Sequence, residues 1–249
     1  WQATNQLMLG AGINYYVSDF EFKRMVNPVT LGLPPGADIE NTIEGDGDAW
    51  GFNVGAIYDL NPQHRLALVY RHPFTVDYDG TFTLDGVIDT DTEASIDFPG
   101  VLVAGYAFRP TEKWTFEFNL DWTNWEEVDA IGGLPQVPAP MKRQDLNNTF
   151  AYKLGVEYQW SSRLALRGGY IFNENATPET TWNPQQPDTD MHFFLAGFGY
   201  DIGQMTIDAA LQIVYYETRT ITQPGNPLGI NGTYRTWAPC FSLGMTYQF

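Results

Sequence analysis

Residues 114–123 read "WTFEFNLDWT", which puts Trp114, Phe116, Phe118, Leu120 and Trp122 on one side of an extended chain. Thr115, Glu117, Asn119, Asp121 and Thr123 take the other side. A period of two means a strand with one apolar and one polar face. The chain ends on the same beat in "FSLGMTYQF" (241–249), with Phe241, Leu243, Met245, Tyr247 and Phe249 against Ser242, Gly244, Thr246 and Gln248. In a soluble sandwich the apolar face would turn to a core. In a membrane barrel it would turn to lipid.

The division recurs along the chain. Trp50, Phe52, Val54, Ala56, Tyr58 and Leu60 oppose Gly51, Asn53, Gly55 and Asp59; Leu66, Leu68 and Tyr70 oppose Arg65, Ala67 and Arg71. Phe150, Tyr152, Leu154, Val156, Tyr158 and Trp160 oppose Lys153, Gly155, Glu157 and Gln159, and Ile207, Leu211 and Ile213 oppose Asp208 and Gln212. Candidate strands lie near 6–24, 49–60, 64–83, 92–108, 113–127, 147–160, 163–174, 190–201, 204–220 and 235–249. Mid-strand charges (Arg71, Glu117, Asp121, Lys153, Glu157, Arg167, Asp208) all fall on the polar face. The apolar face is free of charge there, as lipid requires, since Lys or Arg at a bilayer midplane costs about 2–4 kcal/mol. Aromatic side chains gather beside the short turns (Tyr58, Tyr106, Phe108, Trp114, Tyr158, Trp160, Tyr200), where amphipathic rings favour the headgroup level. Short turns such as "NPQH" and "WSSR" alternate with long polar loops such as "NENATPETTWNPQQPDTD". That is the periplasmic-turn and outer-loop asymmetry of an outer-membrane barrel. The reading is all-β: a transmembrane antiparallel up-and-down β-barrel of about ten strands, one domain over 1–249.

Composition narrows the function. A net charge of -17 leaves no basic stripe for nucleic acid, and a single cysteine, Cys240, excludes an internal disulfide framework. The longest apolar runs, "VLVAGYAF" and "FFLAGFGY", are far too short for a spanning helix. His64, His72 and His192 lack metal-ligand spacing, and "EGDGD" and "DTDTE" read as solvated loops without the EF-hand pattern. No Gly-x-Ser-x-Gly elbow or nucleophile–base pairing suggests an enzyme. No cofactor or metal is expected.

In "GDGDAWGFNVGAIYDLNPQHRLALVYRHPFTVDYDGTF", "WTFEFNLDWTNWEEVD", "YKLGVEYQWSSRLALRGGYIFNENATPE", "PDTDMHFFLAGFGYDIGQMTIDAALQ" and "FSLGMTYQF" the chain resembles the outer-membrane long-chain fatty acid transporters (FadL type) and their relatives for aromatic hydrocarbons. The resemblance implies a fourteen-stranded barrel plugged by an N-terminal hatch, in the bacterial outer membrane. The strands here correspond to its fifth to fourteenth. The hatch, its Asn-Pro-Ala signature and the first four strands have no counterpart, and "NPV" at Asn27–Val29 reads as a plain turn. A fragment of a wider barrel is favoured over a self-closed barrel of ten strands, because the first residue falls inside a recognisable strand.

The resemblance implies passive uptake of hydrophobic compounds, with fatty acids first. An aromatic-hydrocarbon channel and a structural or general-diffusion barrel are the alternatives. Two positions match the basic groups that hold a ligand carboxylate in the family: Arg24, at the outer end of the first strand, and Lys142, in "MKRQD". Loop–strand junction cations that stay in solvent or touch lipopolysaccharide are the plainer reading of both. Trp125 and Phe193 break the face rule by pointing inward and are pocket candidates, together with Arg71, Lys153 and Arg167. Arg65, Arg71, Lys153 and Arg167 are expected to form an interior charge network with Glu117, Asp121, Glu157 and Asp208. Expected partners are hydrophobic small molecules and the surrounding lipid and lipopolysaccharide, around a monomer.

Overall fold

The computed structural model describes residues 1–128, 145–184, 187–222 and 231–248. Twelve strands form one antiparallel sheet: β1 (Leu7–Val26), β2 (Ile39–Asn61), β3 (His64–Arg71), β4 (Phe74–Leu84), β5 (Ile88–Phe98), β6 (Val101–Thr111), β7 (Trp114–Thr123), β8 (Thr149–Gln159), β9 (Leu164–Asn173), β10 (Met191–Asp201), β11 (Met205–Ile221) and β12 (Gly232–Tyr247). Among the described residues there is no α-helix. Trp1 and Gln2 fold back on β1 through a tight turn, with the Leu9 N–H donating to Trp1 O.

Ten wall strands become twelve because two of them are interrupted. β3 pairs with residues 53–61 of β2, and β4 pairs with residues 41–48 of the same strand. Between them His72 and Pro73 shift the alternation by one residue. Proline has no N–H to offer a ladder, so the break falls there. Across the hairpin Pro99 and Gly100 break β5 from β6. β6 then continues the wall with β3 and β7, while β5 pairs with β4 alone. "EGDGD" and "DTDTE" are therefore not loops but parts of β2 and β5. Asn27 does sit in a turn: its side chain accepts from the Val29 N–H at 3.0 Å and starts a 3-10 turn at Pro28–Leu31.

The faces follow the sequence period. Phe52, Leu68, Phe116, Leu154, Phe194, Leu211 and Phe241 line one side and are exposed in the isolated chain. So large a continuous apolar surface is a membrane-facing surface. The other side is consequently the interior. Against the 10 residues of β7, β1 has 20 and β2 has 23. With β4 and β5 they rise past the rest of the wall as a wing. There the polarity inverts. Ile43, Phe82 and Leu84 form one small core on the inner side, and Ala49, Val76 and Tyr78 a second. Phe20 packs against both, edge-on to Tyr78 at 5.0 Å. The outer side carries Asp19, Asp46, Asp79 and Glu93 in one cross-strand row, with Glu21 and Glu44 in the next.

Candidate functional site: the inner wall of strands β7 to β11

Alternation and register bring three of the expected residues together. Lys153 on β8 lies opposite Ile171 on β9, which lies opposite Phe193 on β10 and, beyond it, Val214 on β11. Leu195 is the next inward residue of β10. Ile171, Phe193, Leu195 and Val214 thus form an apolar strip on an otherwise polar wall. Phe193 points inward as its phase requires.

Charged side chains border this strip. The Lys153 ammonium donates to Asp121 Oδ2 at 2.5 Å. Arg167 forks, with Nε to Glu157 Oε2 at 2.7 Å and Nη1 to Asp208 Oδ1 at 2.5 Å. Its reach from β9 to β11 crosses Gly199, where a Cβ would stand 2.7 Å from Asp208 Oδ1 and 3.1 Å from the guanidinium. Only glycine leaves the fork its space. Arg65 pairs with Asp59 through two bonds of 2.6 and 3.0 Å. The charge network is therefore a set of local pairs, and two expected members stand outside it. Glu117 accepts from Asn119 Nδ2 at 2.8 Å, and Arg71 has no carboxylate partner among the described residues. Arg71 faces inward at the end of β3, opposite Asn53 and Val101, beside the Pro73 break.

Arg24 lies apart, on the wing, facing inward with Nε 3.3 Å from Oδ1 of the buried Asn41. Trp125 is not on a strand at all. It opens a short 3-10 turn, Trp125–Glu127, after β7. Lys142 lies outside the described residues.

A feature the sequence did not betray closes the outer end of the wall. The segment after β9 folds inward over the tips of β11 and β12. Trp182 is 1% exposed, packs tilted against Tyr234 with ring centroids 4.3 Å apart and donates its Nε1–H to Asp188 O. Asp188 accepts the backbone N–H of Ala176 and of Thr177, both at 2.8 Å, while Asp190 accepts the backbone and side-chain N–H of Asn175. Arg219 reaches in from β11, just past its bulge, and donates to Thr177 O (2.6 Å), Asp188 O (2.7 Å) and Asn175 Oδ1 (3.2 Å). Burial pulls the Arg219 pKa below its usual range, and the nearby carboxylates of Asp188, Glu179 and Asp190 oppose that shift. A lone tryptophan in a polar stretch was the one sequence signal available. Among the described residues no group of His, Cys, Asp and Glu is placed to hold a metal ion.

The whole chain, residues 1–249, matches the family described as "Outer membrane protein transport protein (OMPP1/FadL/TodX)". It is 21% identical over 226 residues to a long-chain fatty acid transport protein of Salmonella typhi, covering 82% of this chain and 51% of that protein. Its fold superposes on the crystal structure of a Pseudomonas aeruginosa FadL homologue with a TM-score of 0.83 at 18% identity, over 99% of this chain and 65% of the other. A monoaromatic hydrocarbon channel, CymD, superposes at 0.68 and 16% identity, over 100% and 71%. The chain spans about half the length of the curated relatives it matches.

Proposed function

The chain belongs to the outer membrane protein transport protein family (OMPP1/FadL/TodX), and from that membership we propose that it walls a passive channel for hydrophobic compounds, with long-chain fatty acids the foremost cargo. The observation that carries the reading is the strip of Ile171, Phe193, Leu195 and Val214 on a polar inner wall. An alkyl chain leaving water for such a strip gains about 0.8 kcal/mol per buried CH₂. A fatty acid also needs a cation for its carboxylate. Lys153 and Arg167 are already neutralised by their neighbours, so they brace the wall. Arg71 and Arg24 have no carboxylate partner among the described residues and take the ligand-binding role, Arg71 beside the wall strands and Arg24 near the outer entrance. A guanidinium grips a carboxylate through two parallel hydrogen bonds, with more effect in a water-poor interior than on a surface.

Uptake by cells producing Arg24→Ala/Arg71→Ala tests the assignment. Fatty acid uptake is expected to fall at least about tenfold, the loss of roughly one charge-assisted hydrogen bond, with toluene uptake little changed. An equal loss for both cargoes would retire the carboxylate role and leave the channel standing. The second reading, an aromatic-hydrocarbon channel, is favoured by the likeness to CymD. Neutral cargo would be indifferent to the double substitution while Phe193→Ala would reduce its uptake. A steady, large ion conductance in planar bilayers would instead point to a general diffusion pore.

A further inference from the structure

Gly168 breaks a rule that every other glycine of the described strands obeys. The others face the interior, Gly155, Gly169, Gly197 and Gly199 among them, whereas Gly168 faces the membrane opposite Val156. Its missing side chain leaves a groove of about 530 Å³ on the lipid side, walled by Phe108, Phe116, Phe118, Leu154, Val156 and Tyr170. One wall is held rigid. The Tyr170 hydroxyl is 2.7 Å from His192 Nδ1, and His192 Nε2 is 3.0 Å from Glu217 Oε1.

We propose that this groove is a binding site for one acyl chain of a phospholipid of the periplasmic leaflet. The leaflet follows from register: the row of Phe108, Phe116, Val156 and Gly168 lies one inward–outward step from Trp114, Tyr158 and Leu166, at the short-turn end of the wall. Chain length and cargo do not enter, so the site stands whether or not the channel carries fatty acids. No water is displaced when a chain already in the bilayer enters the groove. Selectivity comes from dispersion contact with fixed aromatic faces that bulk lipid tails cannot match.

The full-length protein, extracted with native lipid and stripped stepwise in native mass spectrometry, supplies the test. Wild type is expected to keep one phospholipid at collision energies that remove all others. Gly168→Leu fills the groove, and the wall tolerates it: a Cβ there meets Val156 Cγ1 at 3.5 Å and Leu195 O at 3.9 Å, ordinary contacts. The one-lipid population is expected to fall at least about fivefold in Gly168→Leu, a loss of the dispersion contacts alone. Ala56→Leu, which adds comparable bulk to the lipid face on β2, opposite Leu9 and Leu68 and several strands from the groove, should match wild type. Should Gly168→Leu not fold, Tyr170→Ala removes a wall and is read the same way. Equal retention by wild type and the groove variant, equal loss in Ala56→Leu, or lipid A as the retained species would each overturn the site.

Discussion

Replacing Arg219 by methionine should unlock the inward-folded segment without unfolding the sheet. Methionine keeps the aliphatic stem and removes three donors, those to Thr177 O, Asp188 O and Asn175 Oδ1. A hydrogen bond from a charged donor is worth about 1.5–3 kcal/mol, but this guanidinium is only half buried, so roughly 2–4 kcal/mol in total is the reasonable loss. At 1.4 kcal/mol per decade that raises the open population roughly 30- to 700-fold. Chymotrypsin reads this directly, because the Trp182–Asn183 bond follows a tryptophan that is 1% exposed and is reached only when the segment lifts. Cleavage tracks the open population while opening and closing are fast relative to proteolysis. Arg219→Lys, which keeps the charge but not the fork, should fall between. Arg235→Met, an exposed arginine one residue beyond Tyr234, should behave as wild type. A cleavage rate in Arg219→Met no faster than in Arg235→Met would refute the claim that this side chain ties the segment down.

Other consequences follow from the close approaches in the sheet. At Gly80 a Cβ would lie 1.9 Å from Glu44 O, so Gly80→Ala must push β4 off β2. The variant should lose about 3 kcal/mol or more in urea unfolding in vesicles, at the upper end of overpacking costs. Gly199→Ala crowds Asp208 and Arg167 instead. A side-chain fork yields more easily than backbone, so a loss of about 1–2 kcal/mol is expected by the same measurement. Leu68→Arg, in the middle of the lipid face, should cost about 2–4 kcal/mol, whereas Thr81→Arg, flanked by Glu44 and Asp91 on the wing, should be neutral or stabilising by up to about 1 kcal/mol.

What could be seen in the sequence was whatever depends on a period of two. The faces, the inward placement of Phe193 and the neighbourhood of Lys153 and Arg167 follow from alternation plus hairpin register, both local. The break at His72–Pro73 was hidden because apolar residues continue on either side of it, so 64–83 reads as one strand though its phase slips. The acidic stretches of β2 and β5 look like loops for a different reason. Asp and Gly favour turns in isolation, and only pairing to β4 shows that Asp46, Asp79 and Glu93 are strand residues. The Arg219 tie could not be seen: Asn175 is 44 residues away and the other two bonds go to backbone carbonyls, which leave no trace in side-chain pattern.

Strand β2 carries on one backbone the reason the protein sits at one depth. Its outward residues from Leu60 to Trp50 are all apolar or amphipathic, and from Asp48 onward they are Asp48, Asp46, Glu44, Thr42 and Glu40. The ten residue steps from Trp50 to Leu60 cover about 33 Å along the strand, which at a tilt near 45° is roughly 23 Å, close to the apolar band of an outer-membrane barrel. Tyr15 packs tilted against Trp50 with ring centroids 4.7 Å apart and marks the same level on β1. Immediately beyond, the row Asp19–Asp46–Asp79–Glu93 places like charges on neighbouring strands, which is unfavourable at such spacing. In water the cost is modest and salt screens it. Were the wall to sink by one residue pair, Asp48 would enter hydrocarbon, and by two, Asp46 and Asp19 would follow. The acidic rows of the wing thus forbid every deeper register, because their carboxylates would lose water, while the inner cores around Val76 and Phe82 keep the wing folded where no lipid supports it.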